Sequence, residues 1–400
     1  MNASGKTNIQ VPLWLLLLIA FTGTLAMHIF VPALPLAQTT LDASSHQIQM
    51  TITVYVIGLA VGQLIYGPIS DAIGRRPAVF AGLLIFLLGS IGAAFAQTLP
   101  SMVTARLIQG LGGAGGLSLA RAMVKDGAGD KSATKKLALM NLILLIGPGI
   151  APVIGSLISS QLGWRYIFYA LSVLGGAGIV LSVLKLPETI QPSGHFMPKQ
   201  MANDFMHVIT NRRFALITAG GCLASTANYA YFASAPYILH DQLGVPLDLV
   251  GYYVGSTLIG AAVGTLSARY FVERIKIGTF VFWAGVCAVV NALAIVILAI
   301  TGTISPLLVL ILTFTQLLFA GAISPLALGT ALSILPKMAG SASGVYGFLQ
   351  MLTGAICTFL VGLGSNPAIA CGSVLLACYA LSFLLFHTVR SDARRASGHQ

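Results

Sequence analysis

The sequence predicts an all-α membrane protein: twelve transmembrane helices in two six-helix bundles, with both termini in the cytoplasm. Three observations predict it. Hydrophobic side chains fill 56% of the 400 positions and charged ones 8%, with a mean hydropathy of +0.90, whereas soluble domains carry charge on about a quarter of their residues. Apolar runs near the roughly 20 residues that cross a hydrocarbon core recur along the whole chain. Lys and Arg crowd alternate connections between those runs, which is the signature of a fixed orientation in a bilayer.

The runs cover residues 13–36, 49–68, 77–97, 101–123, 137–160, 165–186, 214–239, 250–271, 278–301, 305–331, 342–362 and 368–388. The first is too long for a secretory signal and lacks its small-residue cleavage pattern, so it is expected to stay as a span. Lys6, Arg75, Arg76, the Lys125–Lys136 and Lys199–Arg213 clusters, Arg274, Lys276, Lys337 and the Arg390–Arg395 group mark the amino terminus, the even-numbered connections and the tail. The odd-numbered connections hold no Lys or Arg, with Arg165 at the edge of the sixth run. The net charge of +11 therefore reads as topology and attraction to anionic lipid of the membrane, and not as a nucleic-acid footprint.

Residues 187–213 form the longest polar stretch and divide the chain into bundles at 1–186 and 214–390, with a cytoplasmic tail at 391–400. Paired halves with a solute site between them are a recurrent transporter design. The cysteines at 222, 287, 357, 371 and 378 all lie in apolar runs, read as buried or lipid-facing thiols, and show no metal-ligand spacing.

Three segments carry the chemistry. Gly67-Pro68-Ile69-Ser70-Asp71-Ala72-Ile73-Gly74-Arg75-Arg76 joins two turn-forming glycines to a carboxylate and two guanidinium forks, which suits a latch, and Asp126 at the end of the fourth run is a third partner. Arg106 lies inside the fourth run with Gln109 three residues on. A cation at that depth needs a partner or a watery cavity, unless it snorkels to the interface. In the fifth run Gly147, Pro148, Ala151, Pro152 and Gly155 remove backbone donors on one face and leave a surface that another helix can approach closely.

The first segment, G-x-x-x-D-x-x-G-R-R, resembles the signature loop of the major facilitator superfamily, where the carboxylate pairs with the loop's Arg and caps a helix of the opposite half. Arg106-x-x-Gln109-Gly110 resembles that superfamily's fourth-helix motif, whose Arg faces a central cavity, and Ala151-Pro152-x-x-Gly155 resembles the motif of its drug-proton antiporters. With Gly163 to Phe168, Leu186 to Thr189 and Pro336 to Gly344, the match extends over nearly the whole chain and is similar to the Bcr/CflA branch of multidrug exporters. The resemblance implies a twelve-helix major facilitator fold, a bacterial inner-membrane location, monomeric action, and export of drug-like small molecules driven by protons. It implies no cofactor.

One departure bears on coupling. His28 stands where the family usually has an Asp, and none of the ten acids lies deep in a run. Imidazole titrates near neutrality and can replace that carboxylate as the proton carrier, or can sit as a core histidine bonded to a backbone carbonyl. Arg106 without an intramembrane acid favours neutral or anionic solutes. Tyr55, Gln63, Asn141, Asn228, Tyr231, Phe232, Gln316 and Gln350 supply the aromatic and amide groups for a permissive pocket, although such stripes also serve helix packing. The competing function is a facilitative or proton-coupled transporter of a neutral or anionic metabolite on the same fold. No catalytic constellation or nucleotide-binding loop points to an enzyme.

Overall fold

The computed structural model describes residues 11–126, 130–195 and 198–397, and these are helical apart from turns and connections. Helix α1 (Leu13–His28) is followed by a single-turn 3-10 helix at Val31–Ala33 and a short α2 (Leu34–Thr40). The span expected over 13–36 falls within one stretch, Leu13–Thr40, long and apolar enough to cross a membrane, and its helix changes register near its end. Pro32 and Pro35 lack the N–H that a continuing helix would use, so each starts a new element instead.

Helix α3 (Ser45–Ile73) opens on a capping box in which Ser44 and Gln47 satisfy each other's backbone N–H groups. There follow α4 (Arg75–Ala94), α5 (Leu99–Asp126), α6 (Asp130–Gln161) and α7 (Arg165–Lys185). The expected linker contains a helix that the sequence reading missed, α8 (Pro198–Thr210), whose Phe205 and Val208 join a cluster with Phe214, Val345 and Tyr346. The chain continues through α9 (Arg212–Thr226), α10 (Tyr229–Pro236) with a π-helical turn at Tyr237–Gln242, α11 (Leu247–Val272), α12 (Ile277–Ile300), α13 (Pro306–Ile334), α14 (Ala339–Gly362) and α15 (Pro367–Ser397).

Among the described residues, nine helical stretches are long and apolar enough to cross a membrane. The other three of the twelve expected have identifiable differences. Arg106, Gln109 and a run of glycines dilute α5, the seventh run is divided between α9 and α10 at Ala227–Asn228, and α6 opens on a polar, lysine-bearing turn, with several of its side chains outside the described residues.

Two groups of helices form. In the first, α5 packs on α1, α3 and α4, and α7 on α4; in the second, α9 packs on α13, α14 and α15, α11 on α13, and α12 on α15. Glycines set the spacing of α5. A Cβ at Gly110 would lie 2.2 Å from the Tyr55 carbonyl oxygen and one at Gly112 2.1 Å from the Phe86 nitrogen, so these backbones touch. The groups meet along a seam where α3 faces α14 and α6 faces α11. One end of the molecule carries the 186–211 segment and is termed the linker end; the other is the far end.

Candidate functional site

At the linker end the latch residues Asp71, Gly74, Arg75 and Asp126 converge. Arg75 pairs with Asp71 at 2.7 Å and with Asp126 at 2.9 Å, the two ion pairs found among the described residues. Gly74 has φ +105°, a conformation that favours glycine, and a Cβ there would sit 2.5 Å from Glu188 Oε2. That carboxylate is the residue whose role the sequence reading missed. Its Oε1 accepts the Arg75 N–H at 2.9 Å and its Oε2 the Arg76 N–H at 3.1 Å, which satisfies orphan donors and places negative charge at the positive end of α4.

The segment after Glu188 runs across the same corner. Thr189 Oγ1 donates to Asp126 at 3.2 Å, and the N–H groups of Ser193 and Gly194 donate to the Asp71 and Ala72 carbonyls at 3.0 and 3.1 Å. A signal for this existed, since Glu188 is the single acid between Asp130 and Asp204 and directly follows an apolar run and a proline. Two latch candidates stand apart. The Arg76 guanidinium turns to the Val183 carbonyl at 3.2 Å, and a Cβ on Gly67 would meet nothing within 4 Å. Among the described residues, the side-chain bonds of Arg75 stay within the first helix group and none caps a helix of the opposite half.

Arg106 is fully buried, roughly 10 Å along α5 from its far-end start at 1.5 Å per residue. Its guanidinium lies 4.1 Å from the Tyr55 ring centroid, 5.5 Å from Phe30 and 5.7 Å from Phe168. It donates to the carbonyls of Thr51 and Ala26 and to Gln109 Oε1, while Gln109 Nε2 donates to Ser90 at 2.8 Å. Tyr55 is held in turn by donating to the Gly23 carbonyl at 2.6 Å. Cation–π and carbonyl contacts thus stand where a counter-ion would be, each ring contributing about 0.5–2 kcal/mol. The charge is buried among groups of the first helix group, with Nη2 left without a hydrogen-bond partner.

His28 ends α1 and is 6% exposed. Nδ1 lies 2.9 Å from the Thr24 carbonyl, an oxygen that can only accept, so this nitrogen carries hydrogen and the neutral ring keeps Nε2 as a bare acceptor. Across the seam the Phe232 ring meets His28 edge-on with centroids 5.3 Å apart.

The remaining pocket candidates separate. Gln63 stands at the seam, where a Cβ on Gly347 would approach its Oε1 to 2.2 Å. Gln350 donates to Ser225 at 3.0 Å between α14 and α9. Gln316 is bonded to Asn291 and to the Ala288 carbonyl, which ties α13 to α12, and Asn228 donates to Tyr379 at 2.9 Å while its Oδ1 stays unpartnered. Tyr231 lines a separate cavity of about 10 Å³ within the second group, room for a single water. The Asn141 side chain lies outside the described residues.

The proline motif of α6 lies against both helix groups. A Cβ at Gly155 would fall 1.8 Å from the Ile29 carbonyl oxygen and one at Gly147 2.2 Å from the Phe21 ring. Ala151 is fully buried, and a Cβ on Gly251 of α11 would come 2.2 Å from the Pro152 oxygen. Pro148 sits inside the helix one turn earlier. At the far end Thr53 and Thr358 are hydrogen bonded across the seam at 2.9 Å, and His46 packs on Phe359. Toward the linker end the contact thins: Gly67 on α3 and Gly340 on α14 both face open space.

Long apolar helices meeting along a seam that is closed at one end define a multi-pass membrane transporter. The family model for the Major Facilitator Superfamily matches residues 16–358. The chain belongs to that superfamily. It is 27% identical over 393 residues to an uncharacterized MFS-type transporter, YdgK, of Bacillus subtilis, with 96% of each chain covered. It is 27% identical to the multidrug resistance protein MdtL of Shewanella oneidensis, covering 89% of both, and 24% identical to a bicyclomycin resistance protein homolog of Haemophilus influenzae, covering 90% of both. In fold it is similar to a D-xylose-proton symporter, with a TM-score of 0.73 at 14% identity over 92% of this chain and 96% of that one. The nucleoside transporter NupG gives a TM-score of 0.73 at 16% identity, covering 95% and 99%.

Proposed function

We propose that this chain is a proton-coupled exporter of drug-like small molecules that works by alternating access. The reading takes twelve spans in two halves, 1–186 and 214–390, joined by the 187–213 linker, with both ends in the cytoplasm of a bacterium and the chain acting as a monomer in its inner membrane. The observation that carries it is the asymmetry of the seam, hydrogen bonded at Thr53 and Thr358 and open around Gly67 and Gly340. A solute then enters from the linker end, and rocking of the halves about the α6–α11 contact releases it at the far end. Similarity to multidrug and bicyclomycin resistance proteins supports export of drug-like molecules.

His28 is the proposed proton carrier. It sits on the seam with one nitrogen free to accept, so a proton gained there changes what Phe232 faces across the two halves. The solute class narrows relative to the sequence reading. With Arg106 engaged within the first group, the polar groups assigned to the solute are Gln63 at the seam and Gln350, Ser225, Tyr229 and Met351 of the second group, all uncharged, and the site suits neutral amphiphilic molecules over anions or lipophilic dications. Drug-susceptibility profiling of a pump-deficient strain expressing the chain tests this. Protection against neutral antibiotics that vanishes with an ionophore supports the reading, and stronger protection against a lipophilic dication overturns the solute class.

The second reading is a facilitative or proton-coupled metabolite transporter, favoured by the fold shared with the xylose and nucleoside proteins. Fold alone carries little weight on substrate. A uniporter continues to equilibrate its solute after the gradient is collapsed, which separates it from the exporter.

A further inference from the structure

At the linker end of the α4–α7 seam, two cations and two aromatic rings from three helices form a cluster that lies outside the transport path. Arg76 Nη2 donates to the Val183 carbonyl at 3.2 Å, which brings the guanidinium against the last turn of α7, where Lys185 stands two residues on. Lys185 Nζ lies 5.1 Å from the centroid of the Trp14 ring on α1, and Arg76 lies 5.7 Å from that of Phe80 on α4. Trp14 is 47% exposed and Lys185 is exposed as well. Among the described residues neither cation forms an ion pair, both pairs there belonging to Arg75.

A ring face satisfies charge but accepts no directed N–H bond as strongly as oxygen does. Arg76 Nε is enclosed and has no hydrogen-bond partner, so an outside anion reaches this guanidinium only at its terminal nitrogens, of which Nη2 is anchored to the Val183 carbonyl. An oxygen-rich anion is what such a group lacks. Below the cluster, Val180, Val183 and Leu184 on α7 and Leu84 and Leu88 on α4 are exposed apolar side chains. Trp14 has the amphipathic ring that favours headgroup depth. Anionic phosphate above and hydrocarbon below together describe one kind of ligand.

We infer that this cluster is a binding site for an anionic glycerophospholipid, its phosphate held between Arg76 and Lys185 and its acyl chains lying along α4 and α7. The site adjoins the latch. The Arg76 backbone N–H is bonded to Glu188, and its neighbour Arg75 grips Asp71 and Asp126, so a bound headgroup steadies the corner that the halves must pass when they rock.

Native mass spectrometry of the full chain in micelles supplemented with phosphatidylglycerol or phosphatidylcholine tests the inference. The unaltered protein should retain phosphatidylglycerol preferentially. Lys185→Gln, a change at an exposed position, should weaken that retention about fivefold, the factor expected for one surface cation. Arg274→Gln, which removes a similar cation over Tyr270 elsewhere at this end, should leave it unchanged. Equal retention of the two lipids, equal loss in both variants, or competition by millimolar inorganic phosphate as effective as by lipid would overturn the assignment. Should Lys185→Gln prove unstable, Arg76→Lys gives a second reading, because it keeps the charge but removes the planar donor and should still lower retention.

Discussion

At the scale of single residues, the two most informative side chains do different work from each other. His28 keeps an unprotonated nitrogen at the seam, and His28→Ala is expected to abolish substrate-driven proton movement in proteoliposomes while substrate binding persists; unchanged proton flux would remove it from the mechanism. Glu188 holds no solute or proton in this reading, yet it caps α4 through two backbone N–H groups. Glu188→Ala should cost about 0.5–2 kcal/mol, seen as a lower unfolding temperature in detergent, with Glu188→Gln retaining part of the cap. Sequence spacing was enough to suggest Arg75 with Asp71, because the two lie four residues apart on either side of the tight turn at Gly74. Glu188 lies 113 residues from Arg75, and nothing local marks such a partner.

At the scale of elements, apolar length makes most of the long helices readable in advance, and the exceptions have local causes. Pro32 shifts the helical register near the end of the first run, and Asn228 marks the break in the seventh. Helix α8 escaped notice because Lys199, Asn203, Asp204 and His207 give it a polar average; its order rests on one packed face, with Val208 buried. The proline motif on α6 shows how a close approach can be tested. Gly155→Ala should overpack against Ile29 and cost about 1–3 kcal/mol in thermal unfolding. Gly67→Ala meets nothing here and should leave the unfolding temperature unchanged or slightly raised, with transport slowed because the linker end must close there in the opposite state. Normal transport by that variant would argue against closure at Gly67.

At the scale of the whole molecule, the hydrogen bond between Thr53 and Thr358 is the far-end contact that has to break if the proposed alternating access is right. Thr53→Cys with Thr358→Cys, in a background lacking Cys357 and Cys378, should form a disulfide under oxidant, stop transport, and recover on reduction, since the hydroxyls lie 2.9 Å apart. Retained transport by the cross-linked protein would count against rocking. No sequence pattern announced this pair, which is 305 residues apart and unremarkable in composition. The linker adds a mechanical limit. Its first part is fastened to the first group at Gly194, and from Pro198 onward it belongs to a helix seated on the second. Four residues of chain extend to at most about 14 Å. On the alternating-access reading the connection acts as a leash: its contour length limits how far these two attachment points can part when the linker end opens.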